Sequence, residues 1–157
     1  MPRISPLPRG RNSVNEIIPG KLYQRGQILT WQREKKYRML EEYGIRTVVN
    51  FWPKIDSDMG EAGVNYIHIP AVQSEQMLDS RVLLAADWVS QMIDQEGPVL
   101  VLCEAGVTRS VYFCILTVSR VLGLTLPKSK SYVTGRLGRS SLKQFMLRAL
   151  EERPVLV

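Results

Sequence analysis

Acidic side chains are missing from the whole stretch Ala105–Leu150, the widest gap in an otherwise ordinary composition. Cysteine is scarce too: Cys103 and Cys114 are the two in 157 residues, too few for a disulfide framework. Long apolar runs are lacking, and the longest, such as "VYFCILTV", falls well short of a membrane span. The N-terminal "MPRISPLPRGRNS" has basic residues and prolines but no apolar core, so no secretory signal is expected. Neither internal repeats nor low-complexity tracts occur. These absences leave one domain over residues 16–157, preceded by a basic tail over 1–15, in a reducing, cytoplasmic setting. No metal and no cofactor is expected.

The net formal charge is +6, and its distribution says more than its size. Arg109, Arg120, Lys128, Lys130, Arg136, Arg139, Lys143 and Arg148 all fall in the acid-free stretch. Two readings stay open at this level. One is a set of solvated helix faces, and the other is a positive field around a site for phosphorylated or polyanionic ligands.

Hydrophobic periodicity predicts alternating strands and helices. "GKLYQRG" reads as a first strand around Leu22 and Tyr23. Thr30 then reads as the cap of a helix over "WQREKKYRMLEEY" that stops at Gly44. "RTVVNFW" is a β-branched strand ended by Pro53, "PKIDSDMGEAG" a loop or short helical insertion, and "VNYIHIP" the next strand. Apolar residues at helical spacing mark a helix from about Leu78 to Gln95, broken by Gly97-Pro98. "VLVLC" is a continuous apolar run, as in a central strand covered on both faces. "SVYFCILTVSRVL" is apolar nearly all round and predicts a buried helix closed by Gly123. A shorter helix follows Pro127, and "SSLKQFMLRALEE" is amphipathic. The pattern implies an α/β fold: a central, mostly parallel sheet flanked by helices in three layers. Ligands of such sheets sit at the carboxyl ends of the strands, which is where Cys103 falls.

The segment "CEAGVTRS" joins that strand to its helix. Backbone N–H groups before a helix have no helical partner and can converge on an anion, aided by the helix dipole. Gly106 lets the backbone turn sharply. A thiol placed there should ionise readily, since such surroundings lower a cysteine pKa from about 8.5 into a range of roughly 3.5–7.5. Thiolate is the nucleophilic form. Arg109 offers a planar fork for two phosphate oxygens, and Ser110 a hydroxyl for the sulfur. Each part has a task in phosphoryl transfer. Cys114, inside the apolar helix, reads as core.

"CEAGVTRS" resembles the Cys-x5-Arg-Ser/Thr loop of the protein tyrosine phosphatase superfamily, and most closely that of dual-specificity phosphatases. "IIPGKLYQRGQ", "LEEYGIRTVVNF", "GVNYIHIPA", "AADWVSQMIDQEGPVLVLCEAG" and "GRSSLKQFMLRALEE" resemble successive family segments in order. The resemblance implies that Cys103 is the nucleophile forming a phosphocysteine. It implies that Glu104, Ala105, Gly106, Val107, Thr108 and Arg109 bind phosphate, and that Ser110 assists thiolate departure. Arg136 or Arg139 sits where some relatives place a second basic phosphate contact.

Two positions depart from the family pattern. The residue before the cysteine is Leu102 rather than histidine, and the single histidine, His68, reads as structural. The family's general-acid position falls on Val72 or Gln73, neither of which can donate the proton. The nearby candidates are Glu75 and Asp79, with Asp56 and Asp58 on another loop; Asp79 also suits a helix cap. Loss of a general acid costs about a hundred- to ten-thousandfold, least for leaving groups that need little protonation. The expected function is therefore a metal-independent cysteine phosphatase for phosphotyrosine-type esters, with phosphoserine and phosphothreonine as further substrates. A phosphatase of RNA 5′-triphosphates or phosphoinositides, using the basic 105–150 region, is the alternative, as is a phosphate-binding pseudophosphatase. Sulfurtransferases and arsenate reductases also carry cysteine–arginine loops, but the flanking segments resemble phosphatases better.

Overall fold

The structure is a computed structural model that describes residues 14–103, 108–138 and 142–152. Its strands are β1 (Asn15–Ile18), β2 (Leu22–Gly26), β3 (Thr47–Asn50), β4 (Asn65–His68) and β5 (Val99–Cys103). They form one sheet in the order β1-β2-β5-β3-β4, parallel throughout except for the antiparallel β1–β2 hairpin. The last strand in sequence is thus the central one, as its unbroken apolar run predicts.

Alternation along β5 feeds two cores. Leu100 and Leu102 face one side, with Val48, Ile45, Met59 and the buried residues Met39 and Leu40 of α1 (Arg33–Tyr43). The short helix α2 (Ser57–Glu61) closes that layer through Met59. Val99, Val101 and Cys103 face the other side, against α3 (Ser80–Gln95), α4 (Arg109–Leu122), α5 (Leu126–Leu137) and α6 (Gln144–Glu152). The predominantly apolar α4 is buried from Arg109 to Ser119 and ends at Gly123, whose φ of 67° is the left-handed turn glycine permits. Among the described residues, no single helix is long and apolar enough to cross a membrane.

Three boundaries differ from the sequence expectation. Asn15, expected in a tail over 1–15, is fully buried in β1, a strand ahead of the expected first one; residues 1–13 lie outside those described. Thr30 does not cap α1. Trp31 N donates to Ile28 O (2.9 Å), a turn that delays the helix until Gln32, which occupies the cap position. The helix expected after Pro127 instead starts at Leu126 and includes the proline, because Thr125 caps it by accepting from Lys128 N, and proline is tolerated in a first turn. Asp79 caps α3 as expected, accepting from Arg81 N at 2.8 Å.

Candidate active site

Cys103 ends β5 level with Gly26 of β2 and is 1% exposed. Beyond the junction, Thr108 precedes α4, and Arg109 and Ser110 are its first residues, both buried. Glu104, Ala105, Gly106 and Val107 lie outside the described residues. The strand and the helix bring the two expected reacting side chains together: Cys103 Sγ and Ser110 Oγ are 3.1 Å apart. A hydroxyl at that distance can donate to a thiolate.

Two polar residues that sequence reasoning missed stand behind this pair. Gln24 Nε2 donates to Ser110 Oγ at 2.9 Å, and Asn15 Nδ2 donates to Gln24 Oε1 at 2.9 Å. Both are fully buried. The signal was present in "LYQRG", where Gln24 shares a strand face with the core residue Leu22.

Arg109 Nη1 donates to the carbonyl oxygen of Ala71. This contact sets the segment after β4 beside the site. Val72, one of the two residues expected from the resemblance at the general-acid position, follows directly and is 67% exposed. Gln73 is held in a reciprocal cap with Gln76 at the start of the 3-10 turn Ser74–Leu78.

The carboxylate candidates are not equivalent. Asp58 accepts from Lys36 Nζ (2.8 Å) and Arg33 Nε (3.0 Å). The hydrogen bond from Lys36, then that from Arg33, holds its carboxyl below the usual range. Asp79 is held below that range by the Arg81 side chain and by its backbone N–H. Both are therefore ionised at neutral pH and accept protons rather than deliver them. Asp56 is buried with Lys36, whose Nζ lies 2.9 Å from Asp56 Oδ2 and which is itself 1% exposed. Glu75 is exposed on the 3-10 turn.

The remaining candidates sort by their partners. His68 Nε2 lies 2.6 Å from the Trp52 carbonyl, and its ring stacks on Tyr66. Leu102 points into the α1 core, away from the Cys103 side. Burial, with a smaller contribution from Cys103, pushes the Cys114 thiol far up, so it is neutral. Arg136 donates from Nε and Nη2 to Glu16 O (3.2 and 3.1 Å) and lies near the Glu16 carboxylate, so it braces β1 rather than standing free for a second phosphate. Arg139 lies outside the described residues. Arg120 pairs with Asp87 of α3. Acidic residues from outside the basic stretch thus neutralise part of it in space. Among the described residues no cluster of histidine, cysteine or carboxylates could hold a metal ion.

A family model described as "polymorphic toxin system, DSP-PTPase phosphatase" matches residues 26–118, more than half of the chain. No curated protein matches it. Among solved structures, the PTP-2 phosphatase of Cydia pomonella superposes with a TM-score of 0.73 at 16% identity, covering 89% of each chain. Human DUSP28 gives 0.72 at 18% identity, covering 94% of this chain and 95% of its own. PTPMT1 in complex with PI(5)P gives 0.71 at 14%, covering 88% and 92%. At these identities the likeness is one of fold.

Proposed function

The chain belongs to the DSP-PTPase phosphatase family of polymorphic toxin systems, and we propose that it hydrolyses phosphotyrosine-type esters through a phosphocysteine on Cys103. The observation that carries this reading is the meeting of Cys103 Sγ and Ser110 Oγ at 3.1 Å, with Arg109 one residue away, where the central strand faces a helix N-terminus. In the first step Sγ attacks phosphorus, the P–O bond to the substrate breaks, and the electron pair leaves on that oxygen. Arg109 and the helix dipole offset charge on the equatorial oxygens. In the second step water adds to phosphorus, the S–P bond breaks, and inorganic phosphate leaves with both water hydrogens.

The leaving oxygen sets the substrate class. Asp58 and Asp79 are ionised and engaged with cations, and the side chain after Ala71 is the apolar Val72. Glu75 is the carboxylate left on the neighbouring turn. Weak proton delivery favours leaving groups of low pKa, so phenolic esters should turn over faster than the alkyl esters of phosphoserine and phosphothreonine. The test is metal-free hydrolysis of an aryl phosphate and a phosphotyrosine peptide, blocked by vanadate and lost in Cys103→Ser. Activity that survives that substitution overturns the mechanism. Tight phosphate binding with no turnover and no phosphoenzyme would instead mark a pseudophosphatase.

A second reading, a phosphatase of polyanionic esters, draws on the basic 105–150 stretch and on the phosphoinositide complex of PTPMT1. The pairing of Arg120 with Asp87 and of Arg136 with Glu16 weakens it. Specific activity on phosphopeptide, inositol phospholipid and triphosphate-ended RNA at physiological salt separates the two.

A further inference from the structure

We propose that Gln24 is a positioning residue for the thiolate: by donating to Ser110, it aims the Ser110 hydroxyl hydrogen at Cys103 Sγ. The inference rests on the reading of Cys103 as nucleophile and Ser110 as its leaving-group partner. A serine hydroxyl has one hydrogen, two acceptor lone pairs and a free rotor. Gln24 Nε2 can only donate, so its 2.9 Å bond occupies a lone pair of Ser110 Oγ and leaves the hydroxyl hydrogen for another acceptor. Cys103 Sγ stands 3.1 Å away. The Gln24 amide presents its Nε2 end to Ser110, while its Oε1 accepts from Asn15 Nδ2. Asn15, Gln24 and Ser110 are all fully buried. Water therefore does not compete for these bonds, and a buried amide is costly unless its hydrogen bonds are made.

The consequence lies in the second chemical step. When water attacks the phosphocysteine, the S–P bond breaks and its electron pair stays on sulfur, giving thiolate and dihydrogen phosphate. A hydroxyl already aimed at sulfur strengthens its bond as that charge develops and needs no reorientation. Without Gln24 the rotor is free, and the same hydroxyl spends part of its time aimed elsewhere. Of the ionisable groups on α4 near Cys103, Arg109 is common to all variants below and the Cys114 thiol is neutral. On β2, Leu22 and Gln24 share the Cys103 side and carry no charge, while the neighbouring Arg25 lies over Trp31 on the other.

The experiment compares wild type with Gln24→Leu, Gln24→Met, Ser110→Ala and the double variant Q24L/S110A. The first readout is the burst of phenol from an aryl phosphate. The second is the pH profile of iodoacetate alkylation of Cys103, which needs no turnover. Ser110→Ala loses one charge-assisted hydrogen bond, which predicts a kcat lower by about tenfold with KM little changed, and Q24L and Q24M should move the same way by no more than that. A burst should appear or grow as phosphoenzyme breakdown becomes limiting, and the alkylation profile should move to higher pH. Q24L should add nothing further in the S110A background, because Gln24 acts through Ser110. Additive effects, or an unmoved alkylation profile in whichever of Q24L and Q24M folds, overturn the proposal. If wild type fails to hydrolyse phosphoesters while the alkylation profile shifts non-additively, the phosphatase reading falls and the positioning role stands.

Discussion

The guanidinium of Arg109 donates to the carbonyl oxygen of Ala71, so the expected phosphate clamp is also tied to the segment after β4. One side chain thereby couples the start of α4 to the loop after β4. Lysine has a single charged nitrogen and cannot serve both roles from a planar fork. Arg109→Lys should lower kcat/KM on an aryl phosphate by about a hundredfold or more, the scale of losing one oriented transition-state donor. Steady-state kinetics with vanadate binding checks this; near-wild-type values would remove Arg109 from the site.

Val72 follows that anchored carbonyl and is exposed, which makes it the place to install a proton donor. Val72→Asp should raise turnover of a phosphoserine peptide relative to a phosphotyrosine peptide by about tenfold or more, since a general acid helps poor leaving groups most. The readout is the ratio of the two kcat/KM values. An unchanged ratio would mean that position 72 does not face the leaving oxygen.

The two cysteines should separate chemically. Cys103, at the strand end before a helix N-terminus, is expected to react with iodoacetamide in the folded protein, whereas Cys114, inside α4 and held neutral by burial, should react only on unfolding. Thiol counting before and after denaturant gives one and then two equivalents. Cys114→Ala should leave aryl phosphate turnover intact and cost stability alone.

Lys36 is buried between Asp56 and Asp58 and also donates to Leu29 O. Lys36→Met leaves the Asp56 carboxylate buried beside no cation, a change that costs about 3–5 kcal/mol. Denaturant unfolding at neutral pH measures it.

Acid titration has a defined sign. The carboxyls of Asp58 and Asp79 are held below their unfolded value, so they contribute stability above about pH 4 that is lost as pH falls through their folded values. Both carboxyls are partly exposed, so the loss should be small and should shrink further in salt. Asp79→Asn should flatten that part of the stability profile, as followed by thermal unfolding between pH 5 and pH 2.

Much of this molecule is written locally. The run "VLVLC", the apolar helix closed by Gly123, and the Asp79 cap depend on periodicity and on neighbours within a turn, and all three form as expected. The cysteine–arginine–serine spacing likewise places its side chains at a strand end and a helix start, because strand–loop–helix geometry leaves few alternatives. Thr30 misled because a turn at Ile28–Trp31 outcompetes a cap that local preference alone would favour.

The site's support comes from far along the chain. Gln24 meets Ser110 across 86 positions, Arg109 meets Ala71 across 38, and Arg136 meets Glu16 across 120. Such contacts follow from strand order: β5, the last strand, inserts between β2 and β3, and only that insertion sets β2's buried amide against the first turn of α4. Sequence by itself determined most of the elements and set the chemistry expected of Cys103, Arg109 and Ser110, because those rest on residue type and spacing. Tertiary structure decided which carboxylates are already engaged, which cations are neutralised and which amide faces the serine, because hydrogen bonds and ion pairs act over a few ångströms of space, whatever the distance along the chain.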